Sequence, residues 1–313
     1  MRELISEDEF LTRAAKVPLQ VIDWDLAKQK NVEVLMRRDD LIDEYLSGNK
    51  FYKLFYNLHA AKEAGHKKIL SFGGAYSNHL YALAAAGRDF GFQTVGVIRG
   101  ERPAVLSATL QDAENFGMQL QFITRTEYRE KNSAELKSQL ESFHGDFYSI
   151  PEGGANDDGV RGTQVIGSSL RQQLNLDYTA VCVACGTGNT LAGIALGLGI
   201  NAVSSAKAIG FSVLKGEGDL GRHIRTKTHT YELNNWRLIS GYHAGGYGKK
   251  LPPALIDFNR DFEQQTNVKL DPVYTLKMCW GVSQLLEQNY FPRGSSLVLI
   301  HTGGLQGRRG FNL

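Results

Sequence analysis

Ala180-Val181-Cys182-Val183-Ala184-Cys185-Gly186-Thr187-Gly188-Asn189-Thr190-Leu191-Ala192-Gly193-Ile194-Ala195-Leu196 decides how this chain folds. No charged residue occurs between Asp177 and Lys207, a stretch longer than the ~20 residues that span a bilayer. The polar loop in its middle would be costly in lipid. The stretch therefore reads as a buried strand over Ala180–Val183, a glycine loop, and a buried helix over Leu191–Leu198. A glycine loop that opens a helix offers free backbone amides and the positive end of the helix dipole, an anion site suited to phosphate. It is not a Walker loop, since no Gly-Lys-Ser/Thr follows. Nor is it the dinucleotide fingerprint, which needs a glycine or alanine where Leu191 stands. Cys182 and Cys185 lie three apart on a strand and so point to opposite faces. No paired Cys/His set is near them for zinc. Both read as small buried hydrophobes.

Outward from this stretch, the pattern repeats. Ile69-Leu70-Ser71-Phe72, Thr94-Val95-Gly96-Val97-Ile98, Leu120-Gln121-Phe122-Ile123 and Phe147-Tyr148-Ser149-Ile150 read as strands. Helical stretches separate them: Ser77 to Ala86 ending at Gly87, Val105 to Phe116 ending at Gly117, and Glu127 to Phe143. Val160 to Leu174 is a further helix. Ala208-Ile209-Gly210-Phe211 and Leu297-Val298-Leu299-Ile300 are further buried strands. Strand–helix alternation predicts an α/β fold of two open, mostly parallel sheets with helices on both faces. Asp271-Pro272 looks like an N-cap and N1 proline opening another helix. A boundary is expected near Gly153-Gly154.

Composition narrows the function. With 313 residues, 35 Lys+Arg and 33 Asp+Glu, the net charge is +2. That gives no reason to expect nucleic acid or an anionic membrane as partner. The 34 glycines against 7 prolines suit tight turns and close backbone approach to a ligand. Three cysteines cannot complete a disulfide framework, and the acidic start Met1-Arg2-Glu3-Leu4-Ile5-Ser6-Glu7-Asp8-Glu9-Phe10 has no apolar signal region. A cytoplasmic location is the expectation.

Several residues could carry chemistry. Lys50, in Ser47-Gly48-Asn49-Lys50, starts an amphipathic helix marked by Phe51, Leu54, Phe55, Leu58 and Ala61. The helix dipole disfavours a cation there, and burial would lower its pKa further toward a nucleophilic, Schiff-base amine. Alone, it reads equally as a solvated lysine. Gly73-Gly74-Ala75-Tyr76-Ser77-Asn78-His79 joins a strand to a helix, where ligands of parallel sheets bind. It could also be an ordinary serine cap. Gly245-Gly246-Tyr247-Gly248, Asp271-Pro272-Val273-Tyr274-Thr275 and Ile300-His301-Thr302-Gly303-Gly304 each place a polar side chain beside a turn.

Together and in this order, these six motifs resemble the tryptophan-synthase-β-like (fold type II) pyridoxal-phosphate enzymes. The likeness is to the 1-aminocyclopropane-1-carboxylate deaminase and D-cysteine desulfhydrase branch, over about Arg37 to Gly304. The resemblance implies that Lys50 carries pyridoxal phosphate and moves the substrate's proton. It implies that Ser77, Asn78 and His79 hold the substrate carboxylate and line the cofactor ring, and that Gly186, Thr187, Gly188, Asn189 and Thr190 bind phosphate with help from Lys53. Tyr247 and Tyr274 would flank the substrate, and Thr302, with Thr275 near it, would face the pyridine nitrogen. A threonine there leaves that nitrogen largely neutral and suits β-elimination. The deaminases carry Glu where Thr275 stands and Gln where His79 stands. Tyr52 departs from the family's usual Arg, and Gly241-Tyr242-His243-Ala244 is not its usual loop. The implied architecture is a large cofactor-binding domain (1–47 plus 154–313) and a small one (48–153), assembled as a homodimer. The implied activity is elimination from D-cysteine to pyruvate, ammonia and sulfide. The alternatives are ring-opening deamination of 1-aminocyclopropane-1-carboxylate, cofactor binding without useful catalysis, and a nicotinamide dehydrogenase.

Overall fold

The computed structural model describes residues 2–173, 180–199, 206–214, 217–228, 233–246, 250–311 and 313. Its strands, among the described residues, are β1 (Leu19–Val21), β2 (Glu33–Arg37), β3 (Lys68–Gly73), β4 (Gln93–Arg99), β5 (Gln119–Ile123), β6 (Tyr148–Ile150), β7 (Ala180–Cys185), β8 (Lys207–Ser212), β9 (Trp236–Ile239) and β10 (Ser296–Ile300). They form a six-stranded sheet, β1-β2-β10-β7-β8-β9, and a four-stranded sheet, β5-β4-β3-β6. β1 runs antiparallel to β2, and the other pairings are parallel. The expected α/β architecture of two mostly parallel sheets is therefore the one found.

The helices are α1 (Glu7–Ala15), α2 (Asp25–Gln29), α3 (Asn49–Glu63), α4 (Asn78–Phe90), α5 (Ala108–Asn115), α6 (Arg125–Arg129), α7 (Ala134–His144), α8 (Asp157–Gln173), α9 (Asn189–Gly199), α10 (Leu220–Thr228), α11 (Pro253–Thr266) and α12 (Thr275–Glu287). β7 is buried along its whole length, as a central parallel strand covered on both faces must be. Its alternation sorts the core. Val181, Val183 and Cys185 pack with α8 and α9. Ala180, Cys182 and Ala184 pack with α11 and α12 on the other face. The two cysteines thus point to opposite faces, as strand geometry requires. The first core continues through α3 and α4 to Ile69 and Ile98 of the four-stranded sheet, so both sheets share one apolar interior.

Glycine has a use that the sequence reading did not foresee. A Cβ at Gly162 would lie 1.9 Å from Tyr52 O, at Gly193 2.1 Å from Thr163 Oγ1, and at Gly197 2.1 Å from Gln164 O. α3, α8 and α9 touch through glycine faces that admit no side chain.

Three expectations need correction. α4 does not stop at Gly87; it runs to Phe90 and is capped by Gly91. Gly87 instead lets the helix pack onto Thr94 Cγ2, 2.5 Å from where a Cβ would be. The single helix expected over Glu127 to Phe143 is two, because Ser133 caps a new start. α12 begins at Thr275 with Tyr274 as its N-cap, three residues beyond the proline, and Asp271 instead accepts from the N–H groups of the turn that leads into it. Among the described residues, no helix is long and apolar enough to cross a membrane.

Candidate active site

The carboxyl ends of both sheets converge on one cavity of about 280 Å³. Gly74 and Ser77 reach it after β3, Arg99 at the end of β4, Glu152 and Gly153 after β6. Gly186 and Thr187 follow β7, Leu214 follows β8, and Gly245 and Gly246 follow β9. A smaller recess of about 40 Å³ lies beneath the glycine turn, and Lys50, Gly153, Gly186, Thr187 and Tyr274 line both spaces.

Lys50 is delivered there by an unusual helix start. Gly48, the N-cap of α3, has φ +63°, and a Cβ on it would sit 1.9 Å from Thr302 O. Its N–H donates to Asp39 O (2.9 Å), and that of Asn49 to Thr302 O (3.3 Å). The loop is therefore pressed against the end of β10. Burial pulls the Lys50 ammonium down to about 8, with Asp271 opposing. One turn later, Lys53 Nζ donates to Gly153 O (3.0 Å). Burial, then repulsion from Lys50, holds Lys53 well below the usual lysine range.

The recess is shaped by backbone. Gly188 has φ +86°, and a Cβ there would meet Ile224 at 2.8 Å. Thr190 Oγ1 accepts from Asn49 Nδ2 (3.0 Å), tying the turn to the lysine loop. Asn189 lines neither space. Its Nδ2 donates to Asn156 O (2.9 Å) and its Oδ1 lies 2.6 Å from His223 Nε2, so only its backbone is free for an anion.

Ser77 caps α4, its Oγ accepting from Leu80 N (3.2 Å), which leaves its hydrogen available to the cavity. Asn78 Oδ1 accepts from Gln306 Nε2 (2.7 Å), and a Cβ on Gly304 would lie 2.3 Å from Asn78 Nδ2. His79 Nε2 lies 2.9 Å from Ser71 Oγ, whose hydrogen goes to Ile150 O (2.7 Å). That assigns the imidazole N–H to Nε2, donating to Ser71. Nδ1 is left buried without a partner among the described residues. Burial, then the charges of Lys50 and Lys53, hold the ring neutral, well below the usual histidine range. His79 therefore brings no positive charge to a carboxylate.

The Tyr274 ring lies against the glycine turn: a Cβ on Gly186 would be 3.1 Å from its Cε1. Thr275 Oγ1 and Thr302 Oγ1 are buried 3.4 Å apart, beside Gly48 rather than on the cavity lining. Asp271 is also buried, accepting from Val273 N (3.2 Å), Tyr274 N (3.1 Å) and Thr275 N (2.6 Å). Tyr247 lies outside the described residues, although Gly245 and Gly246 before it line the cavity. Sequence reasoning missed Arg99, Glu152 and Gln306. The first two could have been found from their place at strand carboxyl ends; nothing local marks the third.

Known proteins resemble this chain in sequence and fold over most of its length. A bifunctional D-cysteine desulfhydrase/1-aminocyclopropane-1-carboxylate deaminase of Arabidopsis thaliana is 29% identical over 94% of this chain and 78% of its own. A D-cysteine desulfhydrase of Klebsiella pneumoniae is 25% identical, over 93% of this chain and 92% of its own. The crystal structure of a 1-aminocyclopropane-1-carboxylate deaminase homologue shares the fold, with a TM-score of 0.82 at 24% identity, over 96% of each chain. The family model described as pyridoxal-phosphate dependent enzyme matches residues 18–303. This chain belongs to that family: it is an enzyme, and its cofactor is pyridoxal phosphate.

Proposed function

We propose that the enzyme catalyses α,β-elimination from a small amino acid, with D-cysteine the favoured substrate. The observation that carries this is Lys50, a buried amine shifted toward its neutral form, which lines both the main cavity and the recess under the glycine turn. These spaces fit the cofactor. The recess offers Gly186, Thr187 and Gly188 amides with Lys53 nearby for the phosphate, and the larger cavity has room for ring and substrate. We also infer a small lobe over 48–153 and a large one over 1–47 plus 154–313, which the split of strands between the sheets supports.

Once bound, pyridoxal phosphate withdraws electrons from the substrate's α-carbon and so acidifies its proton. Lys50 Nζ is the base that takes that proton. Ser77 donates its hydroxyl hydrogen to the carboxylate. Asn78, whose amide is held by Gln306, would contact the cofactor ring, and Tyr274 would stand on the substrate side. The C–S bond breaks with its electrons leaving on sulfur, and water completes release of pyruvate and ammonia.

We take substrate choice to follow the Thr275–Thr302 pair, which is buried just behind the cavity lining where the resemblance puts the partner of the pyridine nitrogen. Their hydroxyls cannot hold a proton on the pyridine nitrogen, and the nearby carboxylate, Asp271, already accepts three backbone N–H groups. A weak electron sink suits a reaction whose leaving group removes the electrons. The two activities in the Arabidopsis relative's name make ring-opening deamination of 1-aminocyclopropane-1-carboxylate the second reading. Keto-acid release from D-cysteine, L-cysteine and the cyclopropane amino acid tests the choice, with D-cysteine expected to give the highest kcat/KM. Lys50→Ala tests the core: both visible cofactor absorbance and turnover should vanish. Retention of either removes Lys50 from its role.

A further inference from the structure

Lys277 is one of the largest fully buried side chains of the molecule, and the reaction just described does not use it. It sits in the first turn of α12, two residues after Thr275. Its Nζ donates to Gly246 O (2.6 Å) and to Val213 O (3.2 Å). No carboxylate is hydrogen-bonded to it among the described residues. A bare ammonium is costly to bury, and such a group persists in a core where the acceptors it gathers matter.

One acceptor, Gly246, lines the cavity, and the other is next to a residue that does. Val213 immediately precedes Leu214, which lines the cavity and packs on the glycine turn, its Cδ1 3.4 Å from where a Gly186 Cβ would be. Gly246 closes a turn in which its N–H donates to His243 O (2.8 Å), and Gly245 and Gly246 also line the cavity. These two chain segments leave the sheet from neighbouring strands, β8 and β9, and one ammonium holds a carbonyl from each. The same helix carries Thr275 and follows directly on Tyr274.

We propose that Lys277 is a positioning residue: its ammonium draws the chain after β8 and the turn after β9 onto α12 and thereby sets the wall of the cavity that meets the substrate. Burial lowers its pKa to about 8, with Asp271 opposing. Leu214 and the Gly245-Gly246 turn are held at the end of this tether. Loss of the cation should loosen the substrate's wall and spare the attachment of the cofactor, which depends on Lys50 and the glycine turn.

The inference rests on the reading of this cavity as the site of turnover. Three variants of the holoenzyme test it, with absorbance of the Lys50-bound cofactor and kcat and KM for the best amino acid of the panel as readouts. Lys277→Met keeps the buried volume and removes the charge. It should keep the absorbance band, while KM rises about tenfold or more, the size expected when charge-assisted hydrogen bonds are lost, with kcat falling less. Lys277→Arg, which keeps a cation, should recover most of that loss. Should the Met protein fail to fold, Lys277→Gln is read by the same criteria. An unchanged KM in the uncharged variant, or Met and Arg variants impaired alike, overturns the proposal and leaves the elimination reading intact. A wild-type protein with no cofactor band, or none of the panel turned over, overturns that reading and this inference with it.

Discussion

Tyr52 shows what a single position can mislead about. It stands two residues beyond Lys50 and departs from the arginine that the resemblance implies there, as a substrate-contacting position would. In the structure it is fully buried and off the cavity lining. Its hydroxyl donates to Asp39 Oδ1 (2.5 Å) and accepts from Arg37 Nη2 (3.0 Å). Arg37 Nε also reaches Asp39 Oδ1 (3.1 Å), and Arg37 Nη2 reaches Ala14 O (2.7 Å). Arg37, Asp39 and Tyr52 thus form a closed polar knot beneath the lysine loop, since Asp39 O also receives the Gly48 N–H (2.9 Å). Removing the hydroxyl leaves the ion pair intact but strips one hydrogen bond from each charged partner, a loss of about 1–3 kcal/mol. Tyr52→Phe should therefore unfold at lower urea while KM stays put; a changed substrate preference would return Tyr52 to the site. Beside Phe51 and Phe55 this tyrosine reads in sequence as one more core aromatic, because its partners come from a different strand and turn. Gln306 was invisible for the same reason: it meets Asn78 across 228 positions.

At the scale of elements, what was legible was local. β7, the glycine turn and α9 follow from a charge-free run with a polar interruption. The split of α6 from α7 did not, because Ser133 as a cap competes with an unbroken helical pattern. The apolar positions at α12 (Val273 just before it, then Leu276, Met278, Trp280 and Leu285) fit a buried stripe only loosely, because the helix is buried nearly all round and so has no single face to announce. The start of α3 carries the firmest element-level prediction. Gly48 needs both φ +63° and the missing Cβ, whereas Gly65 needs only φ +79°, with nothing within 4 Å of its Cβ position. Gly65→Ala should therefore cost only the ~1–2 kcal/mol of a left-handed alanine and leave turnover unchanged. Gly48→Ala adds a collision with the Thr302–Gly303 backbone, so the loop must move and Lys50 with it. Its cofactor absorbance and kcat should both fall by about tenfold or more, the penalty for misplacing a reacting group by around an ångström. Equal effects of the two substitutions on turnover would mean that the close approach to β10 does not set the lysine.

For the molecule as a whole, the alternation of strands and helices announced two sheets, but not how they would meet. Chain order gave no sign that the carboxyl ends of both would face one cavity, because that depends on α3 and α8 packing through Gly162 against Tyr52 O. The result is a site with two halves. Ser77, Asn78 and His79 belong to the four-stranded side, and the glycine turn, Tyr274 and Thr302 to the six-stranded side. Lys50 lies in the first turn of the helix between them, and polar tethers join the two sides around it, among them Asn49 to Thr190, Asn57 to Asn156 and Gln306 to Asn78. On the proposed reading, a cofactor held by its phosphate on one side and by Lys50 and Asn78 on the other would supply a further cross-link present only in the folded state. Such a ligand stabilises by mass action, about 2.7 kcal/mol at a hundredfold excess over its Kd. Stripping the cofactor, for example with hydroxylamine followed by dialysis, should lower Tm by several degrees. Because the shared core persists without it, the protein should still unfold in one transition, and added pyridoxal phosphate should restore the holoenzyme Tm. Inorganic phosphate at the same concentration should restore only a small part, since it fills the recess without reaching Lys50. If phosphate alone recovers the full shift, the stabilisation belongs to the glycine turn and the cofactor does not join the two sides.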